Sequence, residues 1–144
     1  MLVRNILHRK GRWVATIPSG APVREAAREL SRHGIGALVV SDDGRTIRGI
    51  LSERDIVRGV AEEGPASLEQ PVSSLMTSGV HTCRLDDTID SLMAVMTERR
   101  FRHLPVVEGG ELVGIVSIGD VVSRRVDELQ TEARALHDYI HSGR

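Results

Sequence analysis

The chain uses one unit twice. From Val14 it reads VATIPSGAPVREAARELSRHGIGALVVSDDGRTIRGILSERDIV, and from Val80 it reads VHTCRLDDTIDSLMAVMTERRFRHLPVVEGGELVGIVSIGDVV. Each copy runs from a Val-x-Thr strand start through a helical pattern, an apolar strand and a glycine turn, and ends in Gly-Ile-apolar-Ser-x-x-Asp. The first copy is one residue longer than the second. A unit of this size cannot enclose a good core alone, so the copies must pack on each other. One domain with pseudo-twofold symmetry is expected. At 144 residues it buries roughly two thirds of its unfolded surface and needs no staple.

The local signals agree within each copy. Val23, Ala26, Ala27 and Leu30 fall at i, i+3, i+4 and i+7, one face of a helix, with Pro22 in its first turn. Ile89, Leu92, Met93 and Met96 repeat the spacing, with Asp86 or Asp87 placed to cap. Ile35–Val40 and Phe101–Val107 read as buried strands, Ser41–Gly44 and Glu108–Glu111 as hairpin-type turns, and RGILS and VGIVS as return strands entering helices near Asp55 and Asp120. The unit is β-α-β-β-α, giving an α/β chain of the α+β kind. The first repeat with its lead-in spans 1–63, a linker 64–71, the second repeat 72–125, and a C-terminal amphipathic helix 126–144. Val72–Thr77 forms a short helix leading into the second copy. In the last stretch Val122, Val126, Leu129, Ala133, Leu136 and Ile140 are spaced as a heptad seam. Both a partner helix and a helix packed on its own domain satisfy that spacing.

Catalysis finds little support. The histidines, His8, His33, His81, His103, His137 and His141, are scattered, and His137 with His141 reads as surface rather than metal site. Ser52 and Ser117 lack a nucleophile elbow, no phosphate loop is present, and the only lysine, Lys10, lies outside any glycine run. Cys83 lies among apolar neighbours, where a buried inert thiol is expected, and one cysteine builds neither a disulfide framework nor a zinc cage. A net charge of −1 gives no nucleic-acid footprint, and three aromatic residues are too few for a base-stacking platform. No apolar run is long enough to span a bilayer and no secretory leader is evident, so a cytoplasmic location is expected.

What is left is the duplicated Gly-x-x-Ser-x-x-Asp: Gly49, Ser52, Asp55 and Gly114, Ser117, Asp120. As architecture it is a helix cap, because serine and aspartate satisfy first-turn N–H groups. As a site it offers helix N–H groups and a hydroxyl to an anion, and a carboxylate that can accept both hydroxyls of a vicinal diol. Phosphate at the serine and ribose at the aspartate would suit a nucleotide.

With these residues in view, the sequence resembles a tandem CBS-domain protein (a cystathionine β-synthase domain pair, or Bateman module) of the stand-alone bacterial or archaeal type. Gly49–Arg58, Arg100–Val107 and Val113–Val122 carry the resemblance. It implies a non-enzymatic regulatory module that binds adenosine-containing ligands (AMP first, then ADP, ATP, NAD(H) or S-adenosylmethionine) in clefts between the repeats and signals by conformational change. Carried over, Asp55 and Ser52 work with Thr82, Phe101 and Arg102, while Asp120 and Ser117 work with Thr16, Ile35, Gly36 and Ala37. Ile50 and Ile115 line the adenine slots, and Arg54, Arg102 and His103 serve phosphate. Asp87 is expected near the Asp55 cleft as a negative charge, where the first repeat has Ala21. No catalytic residue, metal, nucleic acid or membrane is implied. The expected partners are a second copy, in a homodimer, and an unidentified regulated protein. The rival reading is a protein-interaction module with vestigial nucleotide clefts; an enzyme acting on a nucleotide is a further one.

Overall fold

The order β-α-β-β-α expected for each unit is the order found in the computed structural model, which describes residues 1–142. Positions 143 and 144, assigned above to the C-terminal helix, lie outside the described residues. A helix that the sequence reading did not anticipate, α1 (Val3–Lys10), comes first. The first repeat follows as β1 (Thr16–Ile17), α2 (Val23–His33), β2 (Ala37–Val40), β3 (Gly49–Ser52) and α3 (Glu53–Glu63). The second is β4 (Cys83–Arg84), α4 (Ile89–Arg99), β5 (His103–Glu108), β6 (Glu111–Ser117) and α5 (Ile118–Ser142).

Each sheet has three strands, the first parallel to the middle one and the middle antiparallel to the third. Every residue of β2 is buried, which is why its sequence is a continuous apolar run rather than an alternation. Gly109 and Gly110 close the β5–β6 hairpin with φ of 58° and 79°, the positive values a two-residue primed turn demands. Helix α2 buries Val23, Ala26 and Leu30, and α4 buries Ile89, Leu92 and Met96. The cap of α4 is Thr88, whose hydroxyl accepts the Ser91 N–H at 3.1 Å. Neither Asp86 nor Asp87 takes that role. The Asp87 carboxylate turns back to the Arg84 N–H at 2.8 Å and is spent on the preceding turn.

Two apolar cores form, and each crosses the repeat boundary. Val3, Ile6 and Leu7 of α1 join the core of the second repeat, with Leu85, Leu92, Val106 and Val116. Val72, with Leu75 and Met76 packed against it, joins the core of the first repeat, with Leu38 and Leu51. The segment ahead of each repeat therefore packs on the other one, and Val72–Ser74 is a 3-10 turn. Two glycines permit this. A Cβ on Gly114 would stand 2.7 Å from Leu7 Cδ1, and one on Gly49 would stand 2.6 Å from Met76 Sδ and 2.9 Å from the Thr77 carbonyl oxygen.

The C-terminal helix is continuous with the last helix of the second repeat. Val121 is buried, and Asp127 pairs with Arg9 of α1 at 2.9 Å. From Leu129 to Ser142 every residue is exposed.

Candidate functional site

The duplicated motif folds into a pair of reciprocal caps. At the β3–α3 junction Ser52 Oγ accepts the Asp55 N–H at 3.3 Å, and Asp55 Oδ2 accepts the Ser52 N–H at 2.9 Å. At the β6–α5 junction Ser117 and Asp120 make the same bonds at 3.1 and 2.9 Å. The N–H groups of Glu53 and Ile118 are taken by the carbonyls of Gly36 and Arg102 at 3.0 and 2.8 Å. The helix N-termini thus spend some of the donors that an anion could have used. The carboxylates do not spend their acceptors, because each has about four lone-pair positions and the cap uses one oxygen.

Beside Asp55 lies a cleft of about 470 Å³ with walls from both repeats. It brings together Ile50, Ser52, Arg54, Asp55, Phe101, Arg102 and His103 of the residues expected there. Thr82 does not line it. That residue is exposed, and the cleft is lined by its neighbour His81, whose ring lies 5.0 Å from that of Phe101. Five arginines line the cleft, Arg54, Arg58, Arg99, Arg100 and Arg102, with Glu53 beside Asp55 as a second acidic residue. The Arg58 group stands 3.7 Å from Asp55 Oδ1 and is 65% exposed. Arg100 ends α4 with φ of 58°, the left-handed conformation that Gly34 supplies after α2. An L side chain there costs about 1–2 kcal/mol, so backbone strain accompanies an arginine at the cleft wall.

Beside Asp120 lies a cleft of about 350 Å³, lined by the expected Ile35, Gly36, Ala37, Ile115, Ser117 and Asp120. Gly36, Ser117 and His103 face both clefts. Thr16 lines neither. The strand alternation of β1 turns Ile17 into the core and Thr16 outward, and Val14 and Ala15 take the wall instead. Lys10 and Trp13 complete it from the lead-in. Lys10 Nζ donates to Asp120 Oδ2 at 2.6 Å and to the Ile115 carbonyl at 2.9 Å. Burial works against the charged form of Asp120, but the Lys10 and Ser117 hydrogen bonds outweigh it and hold the carboxyl below its usual range. Burial first, and the Lys10 charge second, push His103 below the usual imidazole range.

Lys10, Trp13, His81, Arg58, Arg99 and Arg100 escaped the sequence reading. For Lys10 a signal existed: Val3, Ile6 and Leu7 are spaced for one helix face, with the lysine a turn further on. Asp87, expected near the Asp55 cleft, is not among its lining residues. Burial, with the Asp87 charge adding to it, pushes the Cys83 thiol up to about 12, as an inert buried cysteine requires. Among the described residues no group of three ligand side chains could hold a metal ion, and no helix is long and apolar enough to cross a membrane.

A family model described as the CBS domain matches twice, over residues 14–62 and 72–127. The chain is 51% identical to a CBS-domain containing protein from Agrobacterium tumefaciens, a match covering 87% of this chain and 99% of that one with a TM-score of 0.84. It is 31% identical to a CBS domain protein from Pyrobaculum aerophilum complexed with AMP, covering 83% and 89% with a TM-score of 0.73. A mitochondrial CBS domain-containing protein of Arabidopsis thaliana is 35% identical over 125 residues, which are 84% of this chain and 61% of the relative. The chain thus spans less than two thirds of that relative's length.

Proposed function

This chain belongs to the CBS-domain family, as a tandem pair, and from that premise we propose that it is a non-enzymatic sensor whose Asp55 cleft binds an adenosine nucleotide, AMP before ADP, ATP or NAD(H). CBS-domain pairs are regulatory modules. The observation that carries the reading is one cleft with the motif carboxylate Asp55 and five arginines against two acidic residues, Glu53 and Asp55, on its walls. A ribose diol donates to the carboxylate, and Ile50 and Phe101 give the base an apolar wall. The guanidinium groups take the phosphate with charge-assisted hydrogen bonds. Both repeats contribute to the cleft, so a bound nucleotide favours one relative setting of the repeats and shifts the population seen by a regulated protein. Calorimetry and melting curves with AMP and 2′-deoxy-AMP test this. AMP should raise Tm, and the deoxy form should bind about tenfold more weakly, since a hydrogen bond to a charged group is worth about 1.5–3 kcal/mol. Equal binding of the two would overturn the ribose assignment.

A second reading concerns assembly, and the uncovered end of α5 favours it. Val122, Val126, Leu129, Leu136 and Ile140 are all exposed at heptad spacing. A helix with valine and isoleucine at one seam position and leucine at the other suits a two-stranded parallel coil. We propose that a second copy covers the seam. Light scattering should give twice the 15.8 kDa chain mass, and removal of residues from Asp127 onward should weaken the dimer. A monomer at micromolar concentration would overturn it.

A further inference from the structure

The single lysine of the chain sits on a motif aspartate. Its Nζ takes Asp120 Oδ2 at 2.6 Å and the Ile115 carbonyl at 2.9 Å, both on the wall of the second cleft. The equivalent groups of the first repeat are served differently. The Ile50 carbonyl accepts the Thr77 backbone N–H at 2.9 Å, and the cation nearest Asp55 is an exposed arginine of its own helix at 3.7 Å. The lysine is delivered by packing. Leu7 fills the space that Gly114 leaves open, Val3 and Ile6 anchor the rest of α1 in the same core, and the C-terminal end of the helix is thereby set against the cleft.

Lys10 Nζ and the Ser117 N–H both take Asp120 Oδ2 and leave Oδ1, so a vicinal diol that donates to both carboxylate oxygens must displace the lysine, and the ammonium neutralises the charge that would make either bond strong. We propose that Lys10 is a specificity-determining residue of the second cleft: it occupies one of the two hydroxyl positions on Asp120, at Oδ2, so that a ribose diol engages both oxygens there only when the lysine withdraws. The two clefts of one chain are therefore unequal, and nucleotide binds first, and at moderate concentration only, beside Asp55. A lysine suits an occupant that can leave, being a compact ammonium on a flexible stem rather than a fixed fork.

The inference rests on the nucleotide reading of the Asp55 cleft, and the test separates the two. AMP is titrated by calorimetry into the wild type, Lys10→Met, Asp55→Ala and the Asp55→Ala/Lys10→Met double variant, with melting curves to confirm folding. The expected stoichiometries are one, two, none and one per chain. Wild type that fills both clefts with equal affinity overturns the inference, as does Lys10→Met that still binds one AMP. If no variant binds AMP, the nucleotide reading has failed, and the lysine is judged by chemistry that needs no nucleotide. Reductive methylation with formaldehyde and a hydride donor reports on this one ε-amine, read by peptide mass spectrometry. Asp120→Asn, which keeps the shape of the cap, should speed modification of Lys10 about fivefold by freeing it from the ion pair. An unchanged rate shows that the lysine does not occupy Asp120 in solution and overturns the inference.

Discussion

Asp55 and Asp120 stand at the same place in the two repeats, and each accepts the N–H of the serine three residues before it at 2.9 Å. Their surroundings differ. Asp55 opens onto a cleft with five arginines, while Asp120 faces a smaller, more apolar cleft and holds the ammonium of a helix from the far end of the chain. The cap is a local structure that four residues of sequence suffice to write. The chemistry beside it comes from whatever segment packs opposite, and here the two opposite segments are unlike. Duplicated motifs therefore guarantee duplicated caps and leave the ligand preference of each cleft to its neighbours.

The largest effect that separates the clefts is on binding. Asp55→Ala should lower AMP affinity about a hundredfold by removing two hydrogen bonds to a charged acceptor, whereas Asp120→Ala should leave the Asp55 site intact. Both lose about 1 kcal/mol of cap and Asp120→Ala loses the Lys10 ion pair as well, so its melting curve should move at least as far as that of Asp55→Ala while its AMP binding does not fall. Equal binding losses in the two variants would erase the distinction.

Next comes the docking of the lead segments. Gly49→Ala pushes a methyl against Met76 and the Thr77 backbone, and Gly114→Ala pushes one against Leu7 alone. Overpacking costs about 1–3 kcal/mol, and the flexible Leu7 should put Gly114→Ala at the lower end and the fixed carbonyl should put Gly49→Ala at the upper. Urea denaturation ranks them, and the reverse order would show that α1 is the more rigid contact.

A smaller exchange targets the helix ends. Arg100→Gly should stabilise the fold by about 1 kcal/mol through relief of the left-handed backbone, and should weaken AMP binding by loss of one guanidinium. Gly34→Arg should destabilise by a similar amount with no gain in affinity at the Asp55 cleft. A stabilised Arg100→Gly with full affinity would remove that arginine from the site.

The smallest effect is one of pH. His103 lines both clefts and has its pKa lowered in the folded chain by burial and by the Lys10 charge. The unfolded chain then binds a proton more readily than the folded one. The stability contributed by neutral His103 is present above about pH 6.5 and is lost as pH falls below that value toward the folded pKa. Tm followed downward from neutral pH should fall less in His103→Gln than in the wild type, and identical profiles would show that the ring titrates normally.

The repeat, the β-α-β-β-α order and the two Ser-x-x-Asp caps were legible in the sequence, because helix faces, buried strands and caps are written within a few residues of each other. Seven of the residues that line the Asp55 cleft were named through the family resemblance. The threonines were not: Thr16 falls on the outer face of β1, since one position along a strand reverses the face, and Thr82 stands exposed just ahead of β4. Arg99, Arg100 and His81 were passed over because nothing local tells a solvated charge from one that lines a cleft.

By itself, then, the sequence determined what depends on short range: two units, their elements, their caps and the apolar faces that force the units together. Only the tertiary structure decided that α1 packs on the second repeat and Val72–Met76 on the first, because that choice turns on the fit of Leu7 over Gly114 and of Met76 over Gly49. Hydrophobic burial is non-directional and would accept either pairing, whereas steric fit accepts one. The placement of Lys10 on Asp120, across more than a hundred residues of chain, follows from that fit and from no feature of either residue's neighbourhood in sequence.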